Sequence, residues 1–508
     1  MRRRDLLAAS SLAVVAAAGG RPAFAEKATD TLRVGESSNV TNVDPYYNSL
    51  RSGLIVAHQA WDGLVYREPS DFSIKPLLAT SWKLVDDLTY EFELRKGVTF
   101  HNGDPFTADD VVYTLNLVSK PEAKTATPSN QAWIDRAEKV DDHKVIVRLK
   151  QPTPAALQFF AFVTPIYPKA YRERVGPDGY ARQPVGAGPY KIVRFEPGKE
   201  LLMERYEGYY ADSPKKKPAI GKVLIRYMPD AATMTTEFLA QRLDFMWNFS
   251  PDQFAGVSRL PFATAVRQES MRVGYLSIDA AGRTGAGNPL TKLEVRQAIF
   301  HAIDRKAIAE RLVQGGSRVP PAPCFPTQFG CDGSAAVEYD YNPAKAKELL
   351  AKAGYANGFD VEILTYVLPA YSAAVQSYLG AVGIRAKISQ LQTQAVIDRV
   401  WRGESQLNMG SWGSYSINDV AAIMPVYFGG TPDDYSRDPE VQKLIADAGR
   451  TNDEAKRKEF YSAAIKKITE NAYWMPLHTY VSTYAMSKQL KMNTYPDEMH
   501  RYYEATWV

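Results

Sequence analysis

Residues Lys96 to Leu115 read KGVTFHNGDPFTADDVVYTL, a run holding one histidine, three aspartates and an Asn-Gly pair. Catalytic and metal sites use these residue types, yet local structure accounts for each of them. Upstream, Tyr90, Phe92 and Leu94 alternate with polar or charged neighbours, the period of a strand with one buried face. Asn102-Gly103 marks a turn. Thr107 and Asp110 have the spacing of a capping box, and Val111, Val112, Leu115 and Val118 recur at helical spacing, so a helix is expected from Ala108. Asp104 then belongs to the turn. Asp109 and Asp110 fall in the first helical turn, where negative charge complements the helix dipole. His101 alone reads as a turn or half-buried residue.

The same periodicities continue outward. TLRVGES, with Leu32 and Val34 on one side, HKVIVRLK, KELLMERYEGYY and KVLIRYM read as strands, and MTTEFLAQRLDFMW as a helix followed by a short strand. After MRVGYLSID, the Gly-rich AAGRTGAGNPL leads into TKLEVRQAIFHAIDRKAIAERLV, where Asp304 can cap a second helix. A boundary between lobes is expected there. NPAKAKELLAKAGY, DVEILTYV, AYSAAVQSYLGAVGI and RAKISQL alternate helix and strand, the pattern of an α/β unit. DEAKRKEFYSAAIKKITENA reads as a long helix, and YWMPLHTYVSTYAMS as a buried strand region that can return the chain to the first unit. At 508 residues the chain exceeds what one hydrophobic core supports, so two or three packed units are expected.

The first 25 residues combine Arg2, Arg3 and Arg4, an apolar run from Leu6 to Ala18, and Ala23-Phe24-Ala25, the pattern of a signal peptide cleaved after Ala25. The paired arginines and Ala-rich run suit the twin-arginine route, with ordinary secretion as the alternative. Either implies export to the periplasm. That segment carries four arginines and one aspartate, so its loss takes a net three charges from the formal +4 and leaves +1. Such balance gives no reason to expect nucleic acid or an anionic membrane as partner. In an oxidising compartment, Cys324 and Cys331 favour a disulfide over two free thiols.

No catalytic signature emerges. The six histidines (His58, His101, His143, His301, His478 and His500) lie far apart, without metal-ligand spacing. GAGPY lacks the helix a dinucleotide loop needs, because Pro189 blocks it. Gly198-Lys199 lacks the rest of a phosphate loop, and GSWGSY is no nucleophile elbow. The paired acids fall in turns and helix starts. No metal, cofactor or catalytic residue is therefore expected, and a secreted hydrolase stays as the minor alternative. Aromatic residues near strand ends, among them Trp247, Tyr366, Tyr371, Trp401, Trp412 and Tyr415, suit either a pocket lining or the core.

Leu78 to Leu115 (LATSWKLVDDLTYEFELRKGVTFHNGDPFTADDVVYTL) resembles the hallmark segment of the extracellular solute-binding proteins of the peptide/nickel family, which serve ABC importers. PVGAGPYKIVRFEPGKELLMERYEGYY, LEVRQAIFHAIDRKAI, and YNPAKAKELLAKAGYANGFDVEI followed by GIRAKI resemble its next segments, in order. The resemblance implies a bilobal α/β periplasmic-binding fold, type II, with an extra subdomain at about 76–185. It places lobe I at 26–278 plus 478–508 and lobe II at 279–477, with hinge strands near Tyr275–Ile278 and His478–Tyr484. It implies a monomer that captures a small solute, most readily a short peptide, and hands it to ABC permease subunits with their cytoplasmic ATPase. An oligosaccharide, opine or metal chelate is the alternative cargo. By position, the ligand-binding candidates are Glu36, Ser37, Ser38, Asp44, Trp247, Asn248, Tyr366, Tyr371, Trp412, Ser414, Tyr415, Asn418 and Asp419. Peptide-binding members carry an aspartate for the α-ammonium shortly after a Trp; here Tyr415 occupies that place, with Asp419 further along.

Overall fold

The computed structural model describes residues 30–508. The expected signal peptide lies outside the described residues. One ten-stranded sheet runs through the molecule, and its strand order shows how the chain is divided. At one end, Ile384–Gln390, Phe359–Thr365 and Leu407–Trp412 lie side by side; at the other, Phe245–Trp247, Thr31–Glu36, Lys222–Tyr227, Glu200–Arg205 and Tyr190–Glu196. Two long antiparallel strands, Ala263–Ile278 and Trp474–Ser487, join the halves.

Thr31–Glu36 pairs in parallel with Lys222–Tyr227 and Phe245–Trp247, and all six of its residues are buried. Parallel strands are covered on both faces, so the outward side that Leu32 and Val34 would leave polar is covered too. Arg33 survives there because Asp244 accepts its guanidinium at 2.8 Å.

The joining strands change partners midway. Ala263–Glu269 faces Val481–Ser487, with Phe245–Trp247 beyond; Val273–Ile278 faces Trp474–Thr479 on one side and Leu407–Trp412 on the other. The register breaks between Glu269 and Val273, as at a β-bulge, which bends and twists a strand. The partner change thus falls before Tyr275–Ile278, which pairs within the second half of the sheet. Separate cores flank the break. One gathers Leu32, Phe92, Phe245 and Tyr502; another gathers Leu276, Ile299, Ile363 and Leu407.

The opening stretch is structural throughout. Thr89–Leu94 lies in a four-stranded antiparallel sheet with Ala79–Asp86, Lys144–Leu149 and Ile134–Asp141. Helix Ala108–Val118 starts in a capping box, Thr107 N–H donating to Asp110 at 2.9 Å. His101 Nε2 donates to Gly188 O at 2.9 Å, and its Nδ1 accepts Gly186 N–H at 3.2 Å. The glycines of GAGPY serve close packing: a Cβ on Gly186 would sit 2.0 Å from Ala60 O. Cys324 and Cys331 form a disulfide.

Candidate functional site

The loop after strand Leu407–Trp412 binds the two halves of the molecule together. Ser414, Tyr415 and Ser416 all adopt left-handed backbone (φ 50°, 48° and 62°), each at a cost of roughly 1–2 kcal/mol for a residue with a Cβ. Contacts with the first half hold them there. Arg51 Nη1 donates to Ser416 Oγ at 2.7 Å, and that hydroxyl donates to Asp497 O at 2.6 Å. Arg67 donates to Ser416 O and pairs with Asp497 at 3.0 Å. Ile417 and Ala422 belong to the core of the first half, and Tyr415 packs against it. Tyr415 also closes one side of a chamber lined by Leu50, Leu54, Trp61, Gln131 and Phe162, with about 690 Å³ of atom-free space, part of it open to solvent.

Beside this loop lies a charged cluster from three distant segments. Glu498 accepts Arg272 Nη2 at 3.1 Å and lies 3.6 Å from Arg51 Nε. Burial alone would raise the Glu498 carboxyl, but Arg272 and Arg51 hold it down at about 2. Arg272 Nη1 also reaches Ser411 Oγ at 3.4 Å, while 27% of the Arg272 side chain stays accessible. Arg272 and Glu498 therefore form an ion pair where the two halves meet, with Arg272 still partly accessible.

Glu36 and Trp247 come together on the first half: Trp247 Nε1 donates to the Glu36 carboxylate at 3.0 Å. Ser38 N–H reaches the same carboxylate at 3.3 Å, and Ser37 is half-buried next to it. Burial pushes the Glu36 carboxyl up. His500 meets the Trp247 ring edge-on at 4.4 Å, and Tyr484 stacks on it at 6.3 Å. On the second half, Tyr366 donates its hydroxyl to Ser411 O at 2.9 Å and accepts Ser411 N–H at 3.0 Å, fixing the strand that carries Trp412. Trp412 meets Tyr415 edge-on at 5.0 Å, and its buried Nε1 has no hydrogen-bond partner among the described residues. Ser414 is buried in the same loop. Tyr371 is buried against His478 and Tyr480.

Four candidates are set in other surroundings. Asp44 accepts the Tyr167 hydroxyl and faces Arg172 at 3.6 Å inside the first half. Asn248 is exposed, its N–H donating to Thr483 O. Asn418 meets Thr327 at 3.3 Å, and both oxygens of the adjacent Asp419 accept Arg457 Nη2 at 2.9 Å. Asp419 also caps Ala421 N–H. Arg51, Arg272 and Glu498 went unnoticed in the sequence. Only Arg272 left a signal, as the one charge inside the apolar run MRVGYLSI.

Among the described residues, no group of three or more His, Cys, Asp or Glu side chains could hold a metal ion, and no helix is long and apolar enough to cross a membrane. The family model described as bacterial extracellular solute-binding proteins, family 5 Middle, matches residues 73–434. The chain belongs to this family. It is 27% identical over 458 residues to Di/tripeptide-binding protein 1 of Pseudomonas aeruginosa, covering 83% of each chain. It resembles the periplasmic binding protein DppA of Helicobacter pylori in complex with peptide STSA, with a TM-score of 0.81, 22% identity, and 95% and 99% of the chains covered. It also resembles MoaA of A. tumefaciens in complex with mannopinic acid, with a TM-score of 0.80, 24% identity, and 94% and 99% covered. The fold is that of the family 5 periplasmic binding proteins: mixed α/β about one large sheet.

Proposed function

We propose that this protein is the exported solute receptor of an ABC importer, which captures a short peptide or peptide-like solute between two lobes and presents it to the permease. Lobe I comprises residues 26–278 with 478–508 and includes the subdomain at about 76–185; lobe II comprises 279–477. The strands Ala263–Ile278 and Trp474–Ser487 act as the hinge, flexing where their register breaks between Glu269 and Val273. The carrying observation is the loop from Trp412 to Ala422: it leaves the lobe II sheet, packs into the lobe I core, and meets Arg51, Arg67 and Asp497.

Closure is a population shift. An open form admits the solute, contacts made only when both lobes touch it favour the closed form, and the closed outline is what the permease reads. Capture needs no covalent step. The protein works as a monomer, with the permease's transmembrane subunits and their cytoplasmic ATPase as partners. Peptide cargo is supported by the di/tripeptide-binding relative and the STSA complex; an opine is the second reading, supported by the mannopinic acid complex.

Thermal-shift measurements on protein lacking residues 1–25 test the proposal, against di- to pentapeptides, opines and small sugars. Stabilisation by peptides is expected. Stabilisation by a sugar or opine alone would discard the peptide assignment while keeping the receptor reading.

A further inference from the structure

The loop from Trp412 to Ala422 is also held from behind, by the ring that the Cys324–Cys331 disulfide closes in the second half of the molecule. Gln328, a buried member of that ring, donates Nε2 to Ile417 O at 2.9 Å and to Asp419 O at 3.4 Å. Its Oε1 accepts Phe325 N–H at 2.9 Å, so one end of the amide is engaged on the ring and the other on the loop. Phe329 extends the grip: its N–H donates to Asn418 O at 3.1 Å, and its carbonyl accepts Val420 N–H at 3.0 Å. The ring thereby fixes the main chain of residues 417–420, directly after the left-handed run Ser414–Ser416.

This grip lies wholly within the second half. The contacts of Ser416 with Arg51, Arg67 and Asp497 run between the halves and are lost when the lobes part, whereas those of Gln328 and Phe329 travel with the loop. Left-handed backbone is unfavourable for residues with a Cβ, so a loop released on both sides relaxes toward ordinary conformations. A shape fixed before the solute arrives spares the binding step the cost of ordering it. The cross-link, spanning seven positions, restricts the ring itself and so keeps Gln328 and Phe329 in place as anchors.

We infer that the Cys324–Cys331 ring, acting through Gln328 and Phe329, is a clamp that keeps the loop from Trp412 to Ala422 in its solute-binding shape while the lobes are open. Gln328 is a positioning residue, acting through the main chain of the loop and not by contact with the solute. The inference rests on the proposal that solute is captured between the lobes. The Asp419 carboxylate takes no part in the clamp, because it pairs with Arg457; the clamp holds the Asp419 carbonyl.

Hydrogen–deuterium exchange and isothermal titration test it on protein lacking residues 1–25, well below the unfolding midpoint, with Met-Leu and the peptide STSA as probes. Cys324→Ser combined with Cys331→Ser opens the ring. Gln328→Met keeps the length of the side chain inside an intact ring while removing its hydrogen bonds, and so carries the test if the open ring fails to fold. Both variants should speed amide exchange at residues 412–422 of the free protein and weaken peptide binding about 5- to 10-fold, the worth of a lost hydrogen bond. Asp332→Ala, which cuts contacts with Ser334 and Ser462 beside the ring, should leave both readouts at the parent's values. A merely structural ring would lower the unfolding midpoint of the first two variants and leave affinity and local exchange unchanged, which would overturn the inference. Equal effects from Asp332→Ala would overturn it too. Parent protein that binds neither probe would discard the peptide reading, and exchange in the free protein then decides the clamp by itself.

Discussion

At residue scale, Asp419 and Tyr415 of the lobe II loop have different occupations. Asp419 is consumed by Arg457, a bidentate contact at 2.9 Å with both side chains buried. Removing one member of a buried pair strands the other charge, so Asp419→Ala should cost about 3–5 kcal/mol in denaturant unfolding. It should leave solute selectivity unchanged, because the carboxylate is engaged within lobe II. Tyr415→Ala should behave oppositely: little loss of global stability and weaker solute binding, read by titration, because the ring fills space between the lobes. Equal effects of the two substitutions on affinity would contradict this division. Neither occupation was legible in GSWGSYSINDV. Arg457 lies on helix Glu454–Glu470 and the chamber Tyr415 borders is built from residues 45–165 with Lys215, so sequence proximity carried no information about either partner.

At the scale of elements, periodicity was a better guide, because strands and helices are set by neighbours along the chain. The hairpin near Tyr90, the turn at Asn102-Gly103 and the capped helix from Ala108 all follow from local pattern. Thr107→Ala should accordingly cost about 1 kcal/mol, the usual worth of a capping side chain, measured by urea unfolding. His101 adds a pH signature. Burial lowers it from 6.5 to about 4, so below pH 6.5 the unfolded chain binds the proton that the folded chain refuses. Its contribution to stability is therefore full above about 6.5 and declines as pH falls toward about 4. His101→Gln should gain stability relative to the parent across that window, and a constant difference would show that His101 is not held neutral. The cleft escaped such local reading, since Arg51, Arg272 and Glu498 come from a helix start, a hinge strand and the C-terminal segment. Arg272 sits where the register of the joining strands breaks, and Met271 N–H, donating to Pro496 O at 2.7 Å, brings the segment of Glu498 beside it.

At the scale of the whole molecule, the sheet makes a solute receptor mechanically plausible. Among the described residues, ten strands form one continuous sheet, yet only two cross between the halves, and their pairing is interrupted between Glu269 and Val273. Away from the hinge the halves meet through the loop whose Ile417 and Ala422 pack into the first half's core, and through polar contacts such as Asn452 Nδ2 to Asp87 Oδ1 at 2.9 Å, which water can replace on opening. The order of segments in the chain announced this architecture, whereas the solute could not be read from it, because selectivity depends on a few donors at one seam. The central claim is that the molecule captures a small solute between its lobes and releases it unaltered. Native mass spectrometry tests it most directly, on protein incubated with a peptide-rich growth medium and then denatured. The account predicts one solute per chain, recovered with its original mass. A chain without adduct, or a solute recovered chemically changed, would contradict it.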